Sequence, residues 1–184
     1  IPTLAQRGDS KISLASIASV TAELESIDAA NAFLLRRDSE YYSERPAQFD
    51  DAPAFITARG NLHLLTQPMI AIVAARNASL HTQRHAHNIA SEIGKHGYII
   101  VSGMARGIDA AAHRGALDTG TIGVIAGGID IVYPPENADL FAEVAARGLL
   151  LAEMPPATKP TPKHFPIRNQ VIASLAFGVA VAEA

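Results

Sequence analysis

VSGMARGIDAAAHRGAL, residues 101–117, joins the end of an apolar run to an alanine-rich segment through a turn that contains two glycines. This order predicts a strand, a tight turn and then a helix, because glycine permits the backbone conformations that such turns need. A helix that begins directly after a turn presents unpaired N–H groups and a partial positive charge. The stretch therefore predicts an anion-binding turn at the end of a buried strand.

Strand and helix patterns continue on both sides of this stretch. Apolar runs predict strands over residues 69–75, 98–102, 121–127, 149–154 and 178–184. Between them, helices are expected over about 81–96, from 108 onward, over 135–148 and over 167–177. Apolar strands that alternate with helices predict an α/β fold with a mostly parallel, doubly wound sheet and helices on both faces. In such sheets ligands bind outside the carboxyl ends of the strands, near the point where the strand order reverses.

The first part of the chain has a different pattern. Ile17, Val20, Leu24 and Ile27 recur at helical spacing and predict an amphipathic helix over about 13–32. A strand over 32–37, a proline-containing loop and a short strand over 54–58 follow. We divide the chain into an N-terminal helical segment, residues 1–38, and a sheet domain, residues 39–184. The sequence starts without methionine and stops within an apolar run, so we expect a fragment of a longer protein.

Composition narrows the classes of function. The 184 residues are 48% hydrophobic and contain no cysteine, which excludes disulfides and thiolate metal sites and fits a reducing compartment. No run reaches the roughly 20 apolar residues that cross a bilayer, and no signal peptide is visible, so a cytoplasmic protein is expected. A net charge of −3 argues against a general basic coat, although a local basic groove is compatible with it.

The sequence lacks the motifs of dinucleotide, P-loop and metal sites. The turn after residue 73 lacks the G-x-G-x-x-G of dinucleotide-binding folds, and no P-loop sequence occurs, so no cofactor is expected. His81, His85 and His87 lie close together without a recognised ligand spacing, and we assign no metal.

The turn after the strand at residues 98–102 holds the first candidate site residues. Ser102 offers a hydroxyl, Gly103 and Gly107 allow close approach to the backbone, and Arg106 can form a two-pronged contact with a phosphate. The alternative is that the glycines only make the turn and that Arg106 is a solvated surface charge. Both interpretations are open on spacing alone.

Two further loops carry cations toward the same predicted edge. Arg76 follows the first strand of the regular region, and Lys163 and Arg168 flank Phe165 in a proline-rich loop and the helix after it. Cations beside an aromatic ring are typical of proteins that bind single-stranded nucleic acid, where charge holds the backbone and a base stacks on the ring. Phe165 could equally anchor the last helix in the core.

Asp109 and His113 lie one helical turn apart and invite an acid/base hypothesis. The stronger interpretation is structural, because a carboxylate in the first turn of a helix is stabilised by the helix dipole and by exposed N–H groups. We therefore predict no catalytic residue.

Three segments together resemble one known family. SGMARGIDAAAHRGAL (102–117), the stretch from Gly127 through IDIVYPPENADL, and HFPIRNQVIASLAFGVAVAEA (164–184) after Glu153 and Pro155 occur in the order found in the DNA-processing protein A family, DprA or Smf. The resemblance runs from about residue 42 to the end of the sequence.

The resemblance implies an extended Rossmann-like domain that binds single-stranded DNA, protects DNA taken up in natural transformation and helps to load the RecA recombinase. It also implies a homodimer, a remnant of a helical domain at residues 1–31, and a sheet domain truncated at its C-terminal end. Carried over by position, the family's Gly-Ser-Arg turn falls on Ala74, Ala75 and Arg76, and the last arginine of its F-P-x-R-N-R segment is Gln170 here. These departures are expected to affect affinity more than function.

Two other classes of function compete with non-enzymatic DNA binding. A nucleotide-processing phosphoribohydrolase of the lysine decarboxylase-like group would carry P-G-G-x-G-T-x-x-E with a catalytic glutamate, whereas Gly127 and Gly128 are followed here by Ile129, Asp130 and Ile131. A scaffold that binds only protein partners would have no affinity for DNA.

Overall fold

The computed structural model describes residues 15–42, 52–74 and 78–182. Within these ranges, two 3-10 helices, Leu62–Thr66 and Pro135–Asn137, accompany the regular elements. In chain order these elements are α1 (Ile17–Ala29), β1 (Phe33–Arg36), β2 (Phe55–Gly60), β3 (Met69–Val73), α2 (Leu80–Lys95), β4 (Ile99–Ser102), α3 (Ile108–Ala116), β5 (Thr121–Gly128), α4 (Ala138–Arg147), β6 (Leu149–Met154), α5 (His164–Leu175) and β7 (Gly178–Val181).

The strands form one seven-stranded sheet in the order β1-β2-β6-β5-β4-β3-β7. The five strands from β6 to β7 are parallel to their neighbours, whereas β2 runs antiparallel to both β1 and β6. This arrangement confirms the predicted α/β class with a mostly parallel sheet. Each parallel connection carries one of the helices α2 to α5, as crossover connections in parallel sheets require.

Helices cover both faces of the sheet. Ile99 and Val101 of β4 pack with residues of α5 on one face, and the intervening Ile100 packs with residues of α2 and α3 on the other. This alternation follows from the two-residue period of a strand. Because both faces are buried, β4 and β5 read as continuous apolar runs in the sequence.

The helices α2 and α3 pack closely against each other. A side chain at Gly115 of α3 would place its Cβ 2.2 Å from the carbonyl oxygen of His87 in α2, so only glycine fits at this crossing. Ala86 and Ala90 of α2 are buried in the same cluster as Ala112 of α3. The small residues bring the two helix backbones together and leave their longer side chains at the outer surface.

Several element ends differ from the sequence predictions. The helix expected over residues 135–148 is a 3-10 turn followed by α4, with proline at the start of the turn. The last strand ends at Val181, before the predicted end of the run. The last helix, α5, begins at His164, three residues before its predicted start, and this shift brings Phe165 and Arg168 into the same helix.

The N-terminal region contributes a strand to the sheet. β1 pairs with β2, with Phe33 opposite Ala58, so the sheet includes part of the segment 1–38. The division of the chain at residue 38 stays a prediction. In α1 the apolar residues Ile17, Val20 and Leu24 are exposed, and only Ile27 is buried, because the helix contacts the sheet near its C-terminal end. No helix within the described ranges is long and apolar enough to cross a membrane.

The strand order reverses between β3 and β7, where the chain returns across the sheet through α5. The loops after β4, β5 and β6 begin at the carboxyl edge of the sheet, on one side of this reversal. The first turns of α5 therefore lie beside these three loops. This is the place where the candidate site is found, one strand away from the reversal itself.

Candidate functional site

A cleft of about 190 Å³ opens at the carboxyl ends of β4 and β5. Its lining comes from the turn after β4, the end of β5 and the loop that follows it, the loop after β6, and α5. The lining residues are Gly103, Met104, Ala105, Arg106, Ile125, Ala126, Gly127, Tyr133, Pro134, Pro160, Phe165 and Arg168. The position agrees with the general rule that ligands of open α/β sheets bind outside the carboxyl ends of the strands.

The turn between β4 and α3 has the backbone that its sequence predicts. Gly107 has a φ of 79°, a conformation that favours glycine, and it directly precedes α3. Met104 also has a positive φ, of 53°. No side chain caps the start of α3. The turn thus reaches the helix within a few residues; Gly103 and Met104 are buried, whereas Ala105 and Gly107 are partly exposed and Arg106 is exposed.

The buried side chain of Asp109 holds this turn in place. Its carboxylate accepts a hydrogen bond from the backbone N–H of Ala105 at 3.2 Å, and its Oδ2 lies 3.8 Å from Nη1 of Arg168. Asp109 is only 6% exposed and Arg168 only 8%. Burial raises the pKa of the Asp109 carboxyl, and the positive charge of Arg168 and the N–H of Ala105 oppose this shift.

Arg168 closes the wall of the cleft. Its guanidinium fills the space over Gly103, where a Cβ would lie 1.1 Å from Nη1, so glycine at this position makes room for the arginine. The guanidinium carbon is also 5.9 Å from the centre of the Phe165 ring. The arginine links α5 to the turn that precedes α3.

Two aromatic rings lie next to each other in the cleft. The ring centres of Tyr133 and Phe165 are 6.0 Å apart, with an angle of 55° between the ring planes. Both rings line the cleft, and both are partly exposed. Phe165 is partly exposed and its ring lies beside Arg168, and both interpretations of this residue from the sequence stay predictions.

Arg106 and Lys163 are two exposed cations of the segments that form the cleft. Nη1 of Arg106 lies 3.4 Å from Oε1 of Glu136, and the two side chains are 64% and 56% exposed. Lys163 is exposed at the start of α5, two residues before Phe165. Solvated ion pairs of this kind contribute little to stability, so Arg106 can exchange Glu136 for another anion at small cost.

Ser102 lies deeper than its predicted role requires. The residue is fully buried, and its hydroxyl donates a hydrogen bond to the backbone carbonyl of Ile72 in β3 at 2.6 Å. The single hydroxyl proton is thereby used within the sheet. In this structure Ser102 supports the turn and presents no donor to the cleft.

His113 is buried and takes no part in the cleft. The hydroxyl of Thr121 donates to the carbonyl of Ile100 at 3.0 Å, so it accepts from Nδ1–H of His113, whose Nδ1 is 2.7 Å away. Burial lowers the pKa of the imidazole to about 3, and the charges of Arg168 and Arg114 add to the effect. Asp109 and His113 therefore have different partners, which agrees with a structural role for both.

Two side chains that the sequence did not single out hold the loops together. The amide of Asn137 donates to the carbonyls of Met104 and Ala105 at 3.0 and 3.2 Å, and Asn137 is buried. The carboxylate of Asp130 accepts from the N–H of Ala157 at 2.8 Å and joins the loop after β5 to the loop after β6. Their positions just before a helix and within a tight turn were the available signals.

The remaining candidates fall elsewhere. Arg76 and Ala75 lie outside the described residues. Gln170, at the position of the family's second arginine, lines a separate pocket with Pro53 and Glu153 that shares no residue with the cleft. Among the described residues no group of three or more histidine or acidic side chains has the arrangement of a metal site.

The arrangement suits a ligand with a flat ring and a negative charge. The ring would lie beside Phe165 and Tyr133, and the charge would meet Arg106, which lines the cleft, and Lys163 near its opening. The described residues that line the cleft include no carboxylate and no histidine, and their titratable side chains are Arg106, Tyr133 and Arg168.

Comparisons with known proteins identify the family of the chain. The family model for DNA recombination-mediator protein A matches residues 33–184. The chain is 41% identical to the DNA processing protein DprA of Bacillus subtilis over 136 residues, which cover 72% of this chain and 46% of that protein. It is also 41% identical to the DprA of Streptococcus pneumoniae over 136 residues, which cover 73% of this chain and 48% of that protein. The chain thus spans about half the length of the curated relatives it matches.

Solved structures show the same fold. The X-ray structure of DNA processing protein A from Streptococcus pneumoniae superposes with a TM-score of 0.82 at 32% identity and covers 91% of this chain and 58% of that one. DNA processing protein A from Helicobacter pylori, which has a described single-stranded DNA binding mode, superposes with a TM-score of 0.73 at 28% identity. That match covers 82% of this chain and 68% of the Helicobacter chain.

Proposed function

The chain belongs to the DNA recombination-mediator protein A family, and on this premise we propose that it binds single-stranded DNA at the cleft without catalysing a reaction. The observation that carries the proposal is the pair of rings, Tyr133 and Phe165, in a cleft with exposed cations beside it. Stacking on an aromatic ring requires an unpaired base, whereas a duplex keeps its bases stacked on one another.

The phosphates would be held at the opening of the cleft. Arg106 is exposed and already next to a carboxylate, which a phosphate can replace. Lys163 adds a flexible positive charge close to Phe165. Arg168 covers Gly103, so a phosphate would reach the backbone of this turn at Ala105 to Gly107. Arg76 stays a candidate on its sequence position alone.

Ser102 and Arg168 would act through the shape of the turn. Ser102 bonds to β3, and Arg168 lies against Asp109 and Phe165, so neither needs to touch the DNA to affect binding. Arg168 would hold the Phe165 ring and the turn in fixed positions relative to each other. We therefore assign both residues to positioning, and we assign phosphate contact to Arg106 and Lys163.

A nucleotide-processing enzyme remains the rival class. Such an enzyme needs a carboxylate or another base within hydrogen-bond reach of its substrate. The two buried titratable groups behind the cleft are Asp109, whose carboxylate lies against Arg168, and His113, whose ring bonds to Thr121. Incubation with mononucleotides and detection of released base would test this alternative directly, and turnover would overturn the proposal of binding alone.

A wider role in recombination follows from the family. We propose that the chain protects incoming single-stranded DNA, helps to load the RecA recombinase on it and acts as a homodimer. The support is the family description as a recombination mediator and the identity to DprA proteins. The rate at which RecA begins DNA-dependent ATP hydrolysis on a protected single strand, with and without this protein, would test the loading step.

Fluorescence anisotropy tests the binding site. A labelled single strand of about 20 nucleotides and the matching duplex are titrated with the protein at two salt concentrations. We expect salt-sensitive binding that favours the single strand. Equal affinity for the duplex would contradict base stacking in the cleft.

The variant Phe165→Leu tests the ring itself, with Phe177→Leu as its control. Leucine keeps apolar volume beside Arg168 but offers no flat surface, so we expect roughly tenfold weaker binding of the single strand. Phe177 is 62% exposed and bonds through its backbone to Met69 at the start of β3, on the opposite edge of the sheet. Its substitution should leave binding unchanged.

A further inference from the structure

A second polar surface lies outside the cleft, in the groove between α2 and α3. We call it the α2–α3 groove. Its lining residues are Leu80, Gln83, Arg84, His87, Asn88, Ala111 and Arg114. The members from α2 recur at helical spacing along one side of that helix, and Ala111 and Arg114 are three residues apart on α3.

The groove results from the close packing of the two helices. The backbones of His87 and Gly115 are in close contact, and Ala111 forms part of the floor. The longer side chains of Arg84 and Arg114 stand on opposite sides of this floor, and both arginines are exposed. Small residues between the helices thus place two guanidinium groups along one shallow surface.

The charge of this surface differs from that of the rest of the chain. The segment 80–91 contains one arginine and three histidines and no acidic residue, although the net charge of the chain is −3. Among the ion pairs of the described residues, Lys95 is paired with Glu92 and Arg147 with Asp118, whereas neither Arg84 nor Arg114 has an acidic partner. The groove therefore presents uncompensated positive charge, together with the amides of Gln83 and Asn88.

The groove begins at the same edge of the sheet as the cleft. Arg106 of the cleft lies two residues before α3, and Arg114 lies six residues after the start of that helix, about 9 Å along its axis. Leu80, the first residue of α2, also lines the groove. A chain leaving the cleft past Arg106 would meet the groove after a short distance.

We infer that the α2–α3 groove binds the sugar-phosphate backbone of a single strand that continues beyond the cleft. This inference rests on the proposed DNA-binding function of the cleft. No phenylalanine, tyrosine or tryptophan is among the residues that line the groove, so it would hold phosphates through Arg84 and Arg114. The cleft and the groove would together form one path with two kinds of contact.

Oligonucleotides of two lengths separate the groove from the cleft. A single strand of about five nucleotides, near the lower limit of known site sizes, should occupy the cleft alone, whereas one of about twenty should reach the groove as well. Affinity is measured by anisotropy over a range of salt concentrations, because the log-log slope counts phosphates that are neutralised.

The double variant Arg84→Gln/Arg114→Gln removes the two charges of the groove. For the long strand we expect a slope flatter by about 1.4, since each lost contact contributes about 0.7 for single strands. For the short strand we expect no change. The variant Arg84→Lys/Arg114→Lys keeps both charges and should retain most of the wild-type slope.

Lys95→Gln/Arg147→Gln is the matched control, because it removes two charges from exposed ion pairs at the C-terminal ends of α2 and α4. These ends lie away from the carboxyl edge of the sheet, so binding of both strands should be unchanged. A normal slope for the long strand with the groove variant would overturn the groove while leaving the cleft in place. Failure of the wild-type protein to bind either strand would overturn the cleft and the groove together.

Discussion

Arg106 and Arg168 both line the cleft, and the sequence motifs predict the same role for both, yet their surroundings differ. The side chain of Arg106 is 64% exposed and lies 3.4 Å from an exposed glutamate. Arg168 is 8% exposed, faces the buried carboxylate of Asp109 and lies over Gly103. One arginine is available to a ligand, and the other is part of the wall.

The difference separates two physical contributions that a motif cannot distinguish. We call the exposed edge of the cleft at Arg106 the rim, and the buried side at Arg168 and Asp109 the wall. A solvated arginine at the rim adds little to stability, but its contact with a phosphate releases a counterion from the DNA. A buried arginine adds little to the salt dependence of binding, but removal of its partner leaves a charge without compensation in the interior. The free energy of unfolding therefore reports on the wall. The slope of log affinity against log salt concentration reports on the rim.

Substitution of Asp109 should have the largest effect. Asp109→Ala leaves the Arg168 charge buried and removes the acceptor for the N–H of Ala105, so we expect a loss of about 3 to 5 kcal/mol in the free energy of unfolding. Urea denaturation measures it. Glu136→Ala, at the exposed ion pair of Arg106, is the control and should change stability by less than about 0.5 kcal/mol. Equal losses in the two variants would mean that the wall and the rim do not differ.

Acid should destabilise the folded protein through His113, which is buried behind the cleft. The pKa of this imidazole is lowered to about 3 in the folded protein and is about 6.5 when unfolded, so its contribution is complete above pH 6.5 and is lost as pH falls toward 3. We expect a loss of about 3 kcal/mol between pH 7 and pH 4 from this group.

Urea denaturation of wild type and His113→Asn across this range isolates the contribution of His113, because other groups titrate equally in both proteins. The amide of asparagine can replace Nδ1–H as a donor to Thr121. The variant should show a smaller loss than wild type at low pH. Parallel pH profiles would show that His113 does not stay neutral in the folded state.

Substitution of Arg106 should affect binding and leave stability nearly unchanged. Arg106→Gln is expected to weaken binding to all single strands alike and to flatten the log-log salt slope by about 0.7, with a change of less than about 0.5 kcal/mol in unfolding free energy. Anisotropy titrations over a salt series measure the slope. Arg147→Gln, which removes an exposed arginine paired with Asp118, serves as the control. An unchanged slope for Arg106→Gln would remove this arginine from the phosphate contacts.

Restoring the family's second arginine should have the smallest effect. Gln170 lines a pocket separate from the cleft, next to Glu153, so the salt slope of Gln170→Arg should equal that of wild type. The same titration provides the comparison. A slope steeper by about 0.7 would mean that the single strand extends across this second pocket.

The elements of the fold could be predicted because their signals are local. Apolar runs over β3 to β6, the glycines of the turn before α3 and the proline before α4 each specify a conformation from neighbouring residues alone. The alternation of strands and helices then predicted a mostly parallel sheet and placed the loops at its carboxyl edge. The order of motifs in the sequence also indicated the family, which the match over residues 33–184 shows.

The environment of each site residue could not be predicted in this way. Asp109 and Arg168 lie in different helices and meet only because α5 crosses back over the sheet, and the same crossing brings Phe165 to Tyr133. Ser102 reads as a ligand in its turn, but the neighbouring strand β3 takes its hydroxyl. Local sequence specifies backbone conformation through sterics and spacing, whereas burial, charge and hydrogen-bond partners depend on contacts between distant segments. For this reason the sequence determined the strands, the helices and the tight turn at the carboxyl edge of the sheet, whereas the packing of α5 and α3 determined which arginine faces solvent and which one supports the cleft.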